Sequence, residues 1–154
     1  MADSSVIQAS LSSYYRMIRT RVHELAAPLS FEQLWRRPYP YGNSVGNLIL
    51  HITGNLSYYI GAQIGGTGYV RHRPLEFSDT GKPKEDILRA FDQTIETVLA
   101  TIAKQSDDDW SAPFFGELES EAKTRFSAFL NCAAHAYHHV GQMIYLQREL
   151  LGSS

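Results

Sequence analysis

A single cysteine, Cys132, is the whole thiol content of this 154-residue chain. No internal disulfide can staple the fold, and that usage fits a reducing compartment such as the cytoplasm. Charge is also scarce: Asp, Glu, Lys and Arg make up 19% of the residues, 14 basic against 16 acidic, for a net charge of −2. Such a balance lacks the excess of Lys and Arg that a phosphate backbone requires, which argues against nucleic acid as a partner. Long apolar runs are missing too. The most apolar stretch, Val45 to Ile64, is interrupted by Asn47, His51, Asn55 and Gln63, so no membrane span is expected. From Met1 to Tyr15 no basic segment precedes an apolar one, and no signal peptide is read there. A phosphate-cradling glycine loop, a dinucleotide fingerprint and a Ser-His-Asp pattern are likewise absent. With 44% hydrophobic residues, the chain reads as one domain over residues 1–154, soluble and cytoplasmic. Its six histidines stand out against so little other charge.

The hydrophobic period predicts four long helices. From Ser4 to Ala26, Val6, Leu11, Tyr14, Tyr15, Ile18, Val22 and Leu25 recur at spacings of three and four, an amphipathic helix stopped near Pro28. Ser30 and Gln33 have capping-box spacing, so Ser30 to Trp35 forms a short helical turn before Pro38 and Pro40. Asn43 or Ser44 caps a second long helix from Val45 to about Ile64, apolar nearly all round and therefore buried. Glycines and prolines then punctuate residues 65–82, with no helical period between Thr67 and Thr80. Pro83, Glu85 and Asp86 open a third helix that carries Ile87, Leu88, Phe91, Ile95, Val98, Leu99 and Ile102 and ends before Ser106. Ser106 to Glu121 is irregular. The acidic run Asp107 to Asp109 lacks calcium-loop spacing and reads as a solvated turn. A fourth helix runs from about Thr124 to Leu151 with Gly152 as its cap. The expected fold is all-α, a four-helix bundle with a long crossover between helices two and three.

Two of these helices carry polar strips among apolar neighbours. In helix two, Asn47, His51 and Asn55 lie at i, i+4 and i+8, drifting only about 40° per step. In helix four, Asn131, His135, His138, His139 and Gln142 sit among Phe129, Leu130, Ala133, Ala134, Val140 and Ile144. A buried polar group without a partner costs roughly 1–3 kcal/mol, so each strip needs hydrogen bonds or a ligand. His135 and His139, one turn apart, can reach one metal, with His51 supplying a third nitrogen from the neighbouring helix. Spacing alone leaves His138 and His139 as alternatives beside His135. Three neutral imidazoles suit zinc, nickel, cobalt or copper and leave positions open for water or substrate. Occupancy of such a site is expected to fall as pH drops through the histidine range near 6.5. Asn55 and Gln142 are placed to fix the imidazoles or orient water.

The competing reading is that these are histidines satisfied by neighbours or solvent, with no metal. His23, on an amphipathic helix, and His72, between two arginines, read as surface groups. Cys132, three residues before His135, has the spacing of a base-activated thiol but reads as a small core residue. Arg16, Arg19 and Arg21 form a solvated face. Tyr14, Tyr15, Tyr58, Tyr59, Tyr137 and Tyr145 read as packing the bundle; Tyr58, on the strip of His51, is the one among them with an alternative role at the site.

The strings Asn43-Ser-Val-Gly-Asn-Leu-Ile-Leu-His51-Ile-Thr-Gly-Asn55 and His135-Ala-Tyr-His-His139-Val-Gly-Gln142 resemble the DinB-like family of metalloenzymes. The likeness extends over nearly the whole chain in helix order and spacing. It implies a four-helix bundle with a long crossover, and it selects His139 over His138 because His139 directly precedes Val-Gly-Gln. It further implies a zinc, nickel or similar ion on His51, His135 and His139, and a homodimer. Activities in the family include transfer to low-molecular-weight thiols, thiol-dependent isomerisation and hydrolysis. The resemblance therefore points to a hydrolase or thiol S-transferase acting on a small molecule. The alternative is a non-catalytic bundle that binds a metal or ligand. No string assigns a catalytic residue or a substrate.

Overall fold

In a computed structural model, residues 3–116, 118 and 122–152 are described, and each helix begins where a short polar side chain or a proline takes over from the helical backbone. Helix α1 spans Ser4–Ala26, with the Asp3 carboxylate accepting from the Ser5 amide. Its buried residues Leu11, Tyr15, Ile18, Val22 and Leu25 step by four and three, so one stripe meets the core. Helix α2, Phe31–Trp35, starts in a full capping box between Ser30 and Gln33. Helix α3, Val45–Leu56, is capped by Ser44; it continues as a π-helical turn over Ser57–Ala62, a wider winding than the regular helix expected through Ile64.

Helix α5, Lys84–Ala103, follows Pro83, with Glu85 and Asp86 in its first turn. Helix α7, Arg125–Leu151, is capped by Thr124 and ends at Gly152, whose φ of 66° lies in the left-handed region that glycine enters at no steric cost.

Two short helices occupy stretches read as irregular. Helix α4, Arg73–Ser78, starts with Pro74 in its first turn; its single buried residue is Glu76, so it has no apolar period to detect. Helix α6, Asp107–Ser111, turns the acidic run into a first turn. Ser106 and Asp109 cap each other, and three carboxylates lie at the positive end of the helix. Hydrogen bonds from Ser106 hold the Asp109 carboxyl below its usual range. Residues 117 and 119–121 of the second irregular stretch lie outside the described residues, as do Met1 and Ala2. Among the described residues there is no strand, only an isolated bridge between Pro113 and Thr124.

The four long helices form the bundle, α1 and α3 each packing on both α5 and α7. Cross-contacts give the directions. Ser4 meets Gln105 while Lys84 donates to the carbonyls of Ala26, Ala27 and Leu29, so α1 and α5 are antiparallel. Tyr15 donates to Phe129 O and Gln147 to Leu25 O, which makes α1 and α7 parallel. Ser57 pairs with Thr94, and Gly65 approaches Thr101; α3 and α5 are therefore parallel too. Parallel neighbours cannot be joined by a tight turn, and residues 63–83, with α4 among them, provide the long crossover the topology needs. One continuous core includes Tyr15, Leu48, Ile52, Phe91, Ile95 and Phe129, each large apolar side chain worth about 1.5–3 kcal/mol on burial. Trp35 packs flat on Gly46, where a Cβ would lie 2.7 Å from the indole. Among the described residues no helix is long and apolar enough to cross a membrane.

Candidate metal centre

The N-terminal half of α3 positions the first imidazole. Ser44 Oγ accepts the Asn47 amide at 3.0 Å, and the Asn47 side-chain amide donates to the carbonyls of Glu76 and Asp79 at 3.1 and 2.8 Å. Asn47, fully buried, thereby ties α4 onto α3 and finds its own partners by hydrogen bonding. One turn further, His51 is buried, with the Phe77 ring of α4 4.9 Å from its own. Its Nδ1 lies 2.8 Å from Glu76 Oε1.

Across the α3–α7 interface stand His135 and His139, both half-buried. His135 Nε2 lies 3.2 Å from His51 Nε2 and 3.1 Å from His139 Nε2, and one ligand atom from each of the three residues falls within 4.8 Å of the others. His139 Nδ1 sits 2.7 Å from Gln142 Oε1. An amide oxygen only accepts, so the proton of neutral His139 is on Nδ1 and its Nε2 carries a lone pair. The same holds for His51 if Glu76 is ionised. Burial would raise the Glu76 carboxyl, but the hydrogen bonds and charges of Arg71 and His51 outweigh burial and hold it below the ordinary range. Two lone pairs thus face His135 Nε2.

His135 cannot answer both. Burial first, then the neighbouring His139, His51 and His138, pushes its pKa down to about 3, so near neutral pH it has one ring proton. Its Nδ1 is buried without a hydrogen-bond partner. Placed on Nε2, that proton serves one neighbour and leaves the other lone pair unmatched. Placed on Nδ1, it leaves three lone pairs converging. Three imidazole nitrogens with that excess of acceptors fit a divalent transition-metal ion. A tetrahedral ion with metal–nitrogen bonds of about 2.0–2.1 Å spaces its ligands about 3.3–3.4 Å apart, close to the separations of His135 Nε2 from His51 and from His139. Three protein ligands leave a further coordination position for water or substrate.

The remaining candidates separate cleanly. His138 is exposed; its Nε2 is 3.4 Å from Gln142 Nε2, outside the converging group. Asn55 is buried, but its Oδ1 has no hydrogen-bond partner, so it is not an acceptor for any of the three rings. Tyr58 packs edge-on against Tyr59 at 5.0 Å. Burial drives the Cys132 thiol up to about 12, which leaves it protonated and a poor nucleophile at neutral pH. His23 pairs with Asp92 at 2.7 Å, Arg19 with Glu96 and Arg21 with Glu24, and His72 is exposed.

Arg71 and Glu76 were not anticipated. Arg71 Nη2 and Nε donate to Glu76 Oε1 and Oε2 at 2.7 and 2.8 Å, a two-pronged pair with side chains only 9% and 7% exposed. The carboxylate lies directly over Gly54, where a Cβ would come within 2.1 Å of Glu76 Oε2. That glycine, three residues after His51 in a closely packed helix, was the one available signal, since an isolated interior glycine often marks close approach of another group.

Comparison with known proteins agrees with this architecture. A conserved protein of Enterococcus faecalis, known from its crystal structure, superposes with a TM-score of 0.79 at 16% identity, covering 99% of this chain and 100% of that one. Identity that low shows a shared fold. No curated protein matches the chain. The DinB superfamily model matches residues 14–143, more than half of the chain, and the chain belongs to that superfamily.

Proposed function

We propose that this protein is a metal-dependent enzyme whose His51, His135 and His139 hold one divalent ion, zinc or nickel, and that it acts on a small molecule as a hydrolase or low-molecular-weight-thiol S-transferase. The observation that supports this is the convergence of three imidazole Nε2 atoms with two of the opposite Nδ1 atoms occupied by acceptors. A bound ion would lower the pKa of a coordinated water or thiol and polarise a carbonyl. Gln142 orients His139, and Asn55 offers an unpaired acceptor oxygen close by in sequence to His51. The single buried thiol, Cys132, suits a reducing, cytoplasmic setting, and the charge balance gives nucleic acid no purchase.

Elemental analysis of protein purified without a histidine tag tests the site. About one equivalent of divalent metal is expected, lost in His51→Ala, His135→Ala and His139→Ala and kept in His138→Ala; retention in all four removes the reading. Bacillithiol, mycothiol and glutathione transfer and ester and amide hydrolysis are then screened with and without chelator. Turnover that survives chelation defeats the proposed chemistry. Metal without turnover on any substrate class favours a non-catalytic metal- or ligand-binding bundle.

The protein is also proposed to pair with a second copy through α1 and α7. Between these parallel helices runs a trough of about 390 Å³ lined by Val6, Ile7, Leu11, Tyr14, Phe126 and Leu130. Leu130 is 54% exposed and Tyr137 44%, and no charged side chain breaks the lining, an arrangement suited to a self-complementary interface. Sedimentation equilibrium should show a dimer that Leu130→Asp converts to monomer. A wild-type monomer at 100 μM ends this part of the proposal.

A further inference from the structure

The three imidazoles are not supported alike. His139 is held by Gln142 from its own helix, one turn away, and His135 Nδ1 has no partner. His51 alone is served from outside the bundle, by a carboxylate that the crossover brings 25 residues along the chain. Four separate features converge on that carboxylate. Arg71 takes both oxygens, Asn47 binds the carbonyls of Glu76 and Asp79, the missing side chain at Gly54 makes room for Oε2, and Phe77 packs on the His51 ring.

We infer that Glu76 is the positioning residue of His51, with Arg71 as its clamp: together they fix the ring proton on Nδ1 and aim the Nε2 lone pair at His135 and His139. The physical reason is donor and acceptor accounting. A carboxylate gripped by a guanidinium can only accept; Arg71 Nη2, a donor 3.5 Å from the same His51 nitrogen, is committed to Glu76 Oε1 at 2.7 Å, so the single proton of neutral His51 sits on the nitrogen that faces the carboxylate at 2.8 Å. Without the carboxylate, either nitrogen can carry the proton, and half of the ways of filling the ring point an N–H at the other two imidazoles. A carboxylate behind a ligating imidazole also raises its basicity, and losing such a partner typically costs 10- to 100-fold in metal affinity. The crossover is thereby part of the site and more than a connection.

The inference about metal affinity rests on the three-histidine reading, whereas the inference about the proton does not. Two measurements keep them apart. In metal-free protein at pH 8, long-range ¹H–¹⁵N correlation should find His51 as the Nδ1–H tautomer in the wild type and shifted toward Nε2–H in Glu76→Ala, where the Arg71 donor 3.5 Å away is left facing Nδ1. Removing Glu76 leaves a buried Arg71 without its carboxylate, so a second variant, Arg71→Met with Glu76→Met, replaces the pair by apolar groups of similar size and should fold while showing a mixture of tautomers, neither acceptor nor donor then facing Nδ1. Cobalt(II) titration should then give a 10- to 100-fold weaker dissociation constant in both variants. A residue that merely holds α4 in place would lower the melting temperature but leave the tautomer and the affinity of the folded fraction unchanged. His51 found as Nε2–H in the wild type, or still purely Nδ1–H in both variants, overturns the assignment. Wild-type protein that takes up no cobalt while showing the expected tautomers overturns the metal reading alone.

Discussion

Gly54→Ala is expected to destabilise the protein by about 2–4 kcal/mol, against the usual direction for glycine in a helix. An interior Gly→Ala change ordinarily stabilises by about 0.5–1 kcal/mol, because alanine has less backbone entropy to lose. Here the new Cβ would lie 2.1 Å from Glu76 Oε2 and 2.6 Å from its Cδ. A carboxylate tip normally swings aside at little cost. This one is buried, bonded to Arg71 through both oxygens and to His51 through one, so moving it means breaking a buried ion pair or shifting α4 away from α3. The decisive measurement is a double-mutant cycle by urea denaturation. In a Glu76→Ala background the same Gly54→Ala change should be neutral or stabilising, a reversal of sign that only direct contact explains. A neutral Gly54→Ala in the wild-type background would show that the crossover yields easily and that residue 54 tolerates a side chain.

Acid should weaken the metal-free protein well before its carboxylates titrate. His135 has a folded pKa of about 3, lowered by burial and then by its histidine neighbours, against about 6.5 in an unfolded chain. A depressed imidazole pKa means that the unfolded chain binds more protons at mildly acid pH. Stability from this source is complete above pH 6.5 and is lost progressively as pH falls toward 3. His139, lowered chiefly by burial, acts in the same direction. Both rings are only half-buried, so solvent screening reduces the full linkage value; a loss of about 1–2 kcal/mol between pH 7 and pH 5 is expected. Glu76, held below its usual range, adds a second loss only below about pH 4. Denaturation of EDTA-treated protein at pH 7, 6 and 5 measures the first phase, and His135→Gln should flatten it. Equal stability at pH 7 and 5 would contradict the burial of these rings. The same depression changes the expectation for metal release. His135, pushed down to about 3, offers protons little competition for its lone pair at pH 6, so its bond to the ion should be held to a lower pH than the ordinary imidazole range near 6.5 suggests.

Long apolar periods made the four bundle helices legible. Leu11, Tyr15, Ile18, Val22 and Leu25 stepped along α1 as a helix must, and capping residues such as Ser30, Ser44 and Gly152 marked ends that the structure places at those residues. The histidine strips were legible for the same reason: polar residues at helical spacing in otherwise apolar helices need partners. Helix α4 was not legible, because its buried residue is a carboxylate and its apolar neighbours Leu75 and Phe77 do not repeat. The π-helical turn after Leu56 leaves no mark in hydrophobic spacing. Arg71 and Glu76 were hidden by their type, since buried ionic residues occur where a partner is supplied from far along the chain. Even Asn47 and Asn55, matched in sequence pattern, separate in three dimensions. The first finds two backbone carbonyls and the second leaves Oδ1 unpaired.

The distance along the chain between the facing imidazoles has a consequence for the time course of folding. His51 and His135 touch across 84 intervening steps of sequence, and α3 reaches its carboxylate only after the crossover has doubled back. Such a centre forms no local nucleus; closing loops of that length comes late, after the helices have collapsed on one another. A fragment ending before α7 would hold one imidazole of the centre, His51, and bind metal there no better than a free histidine. Uptake of a coloured ion such as cobalt(II) during refolding would therefore act as a clock for the last docking event, lagging behind the recovery of helical signal.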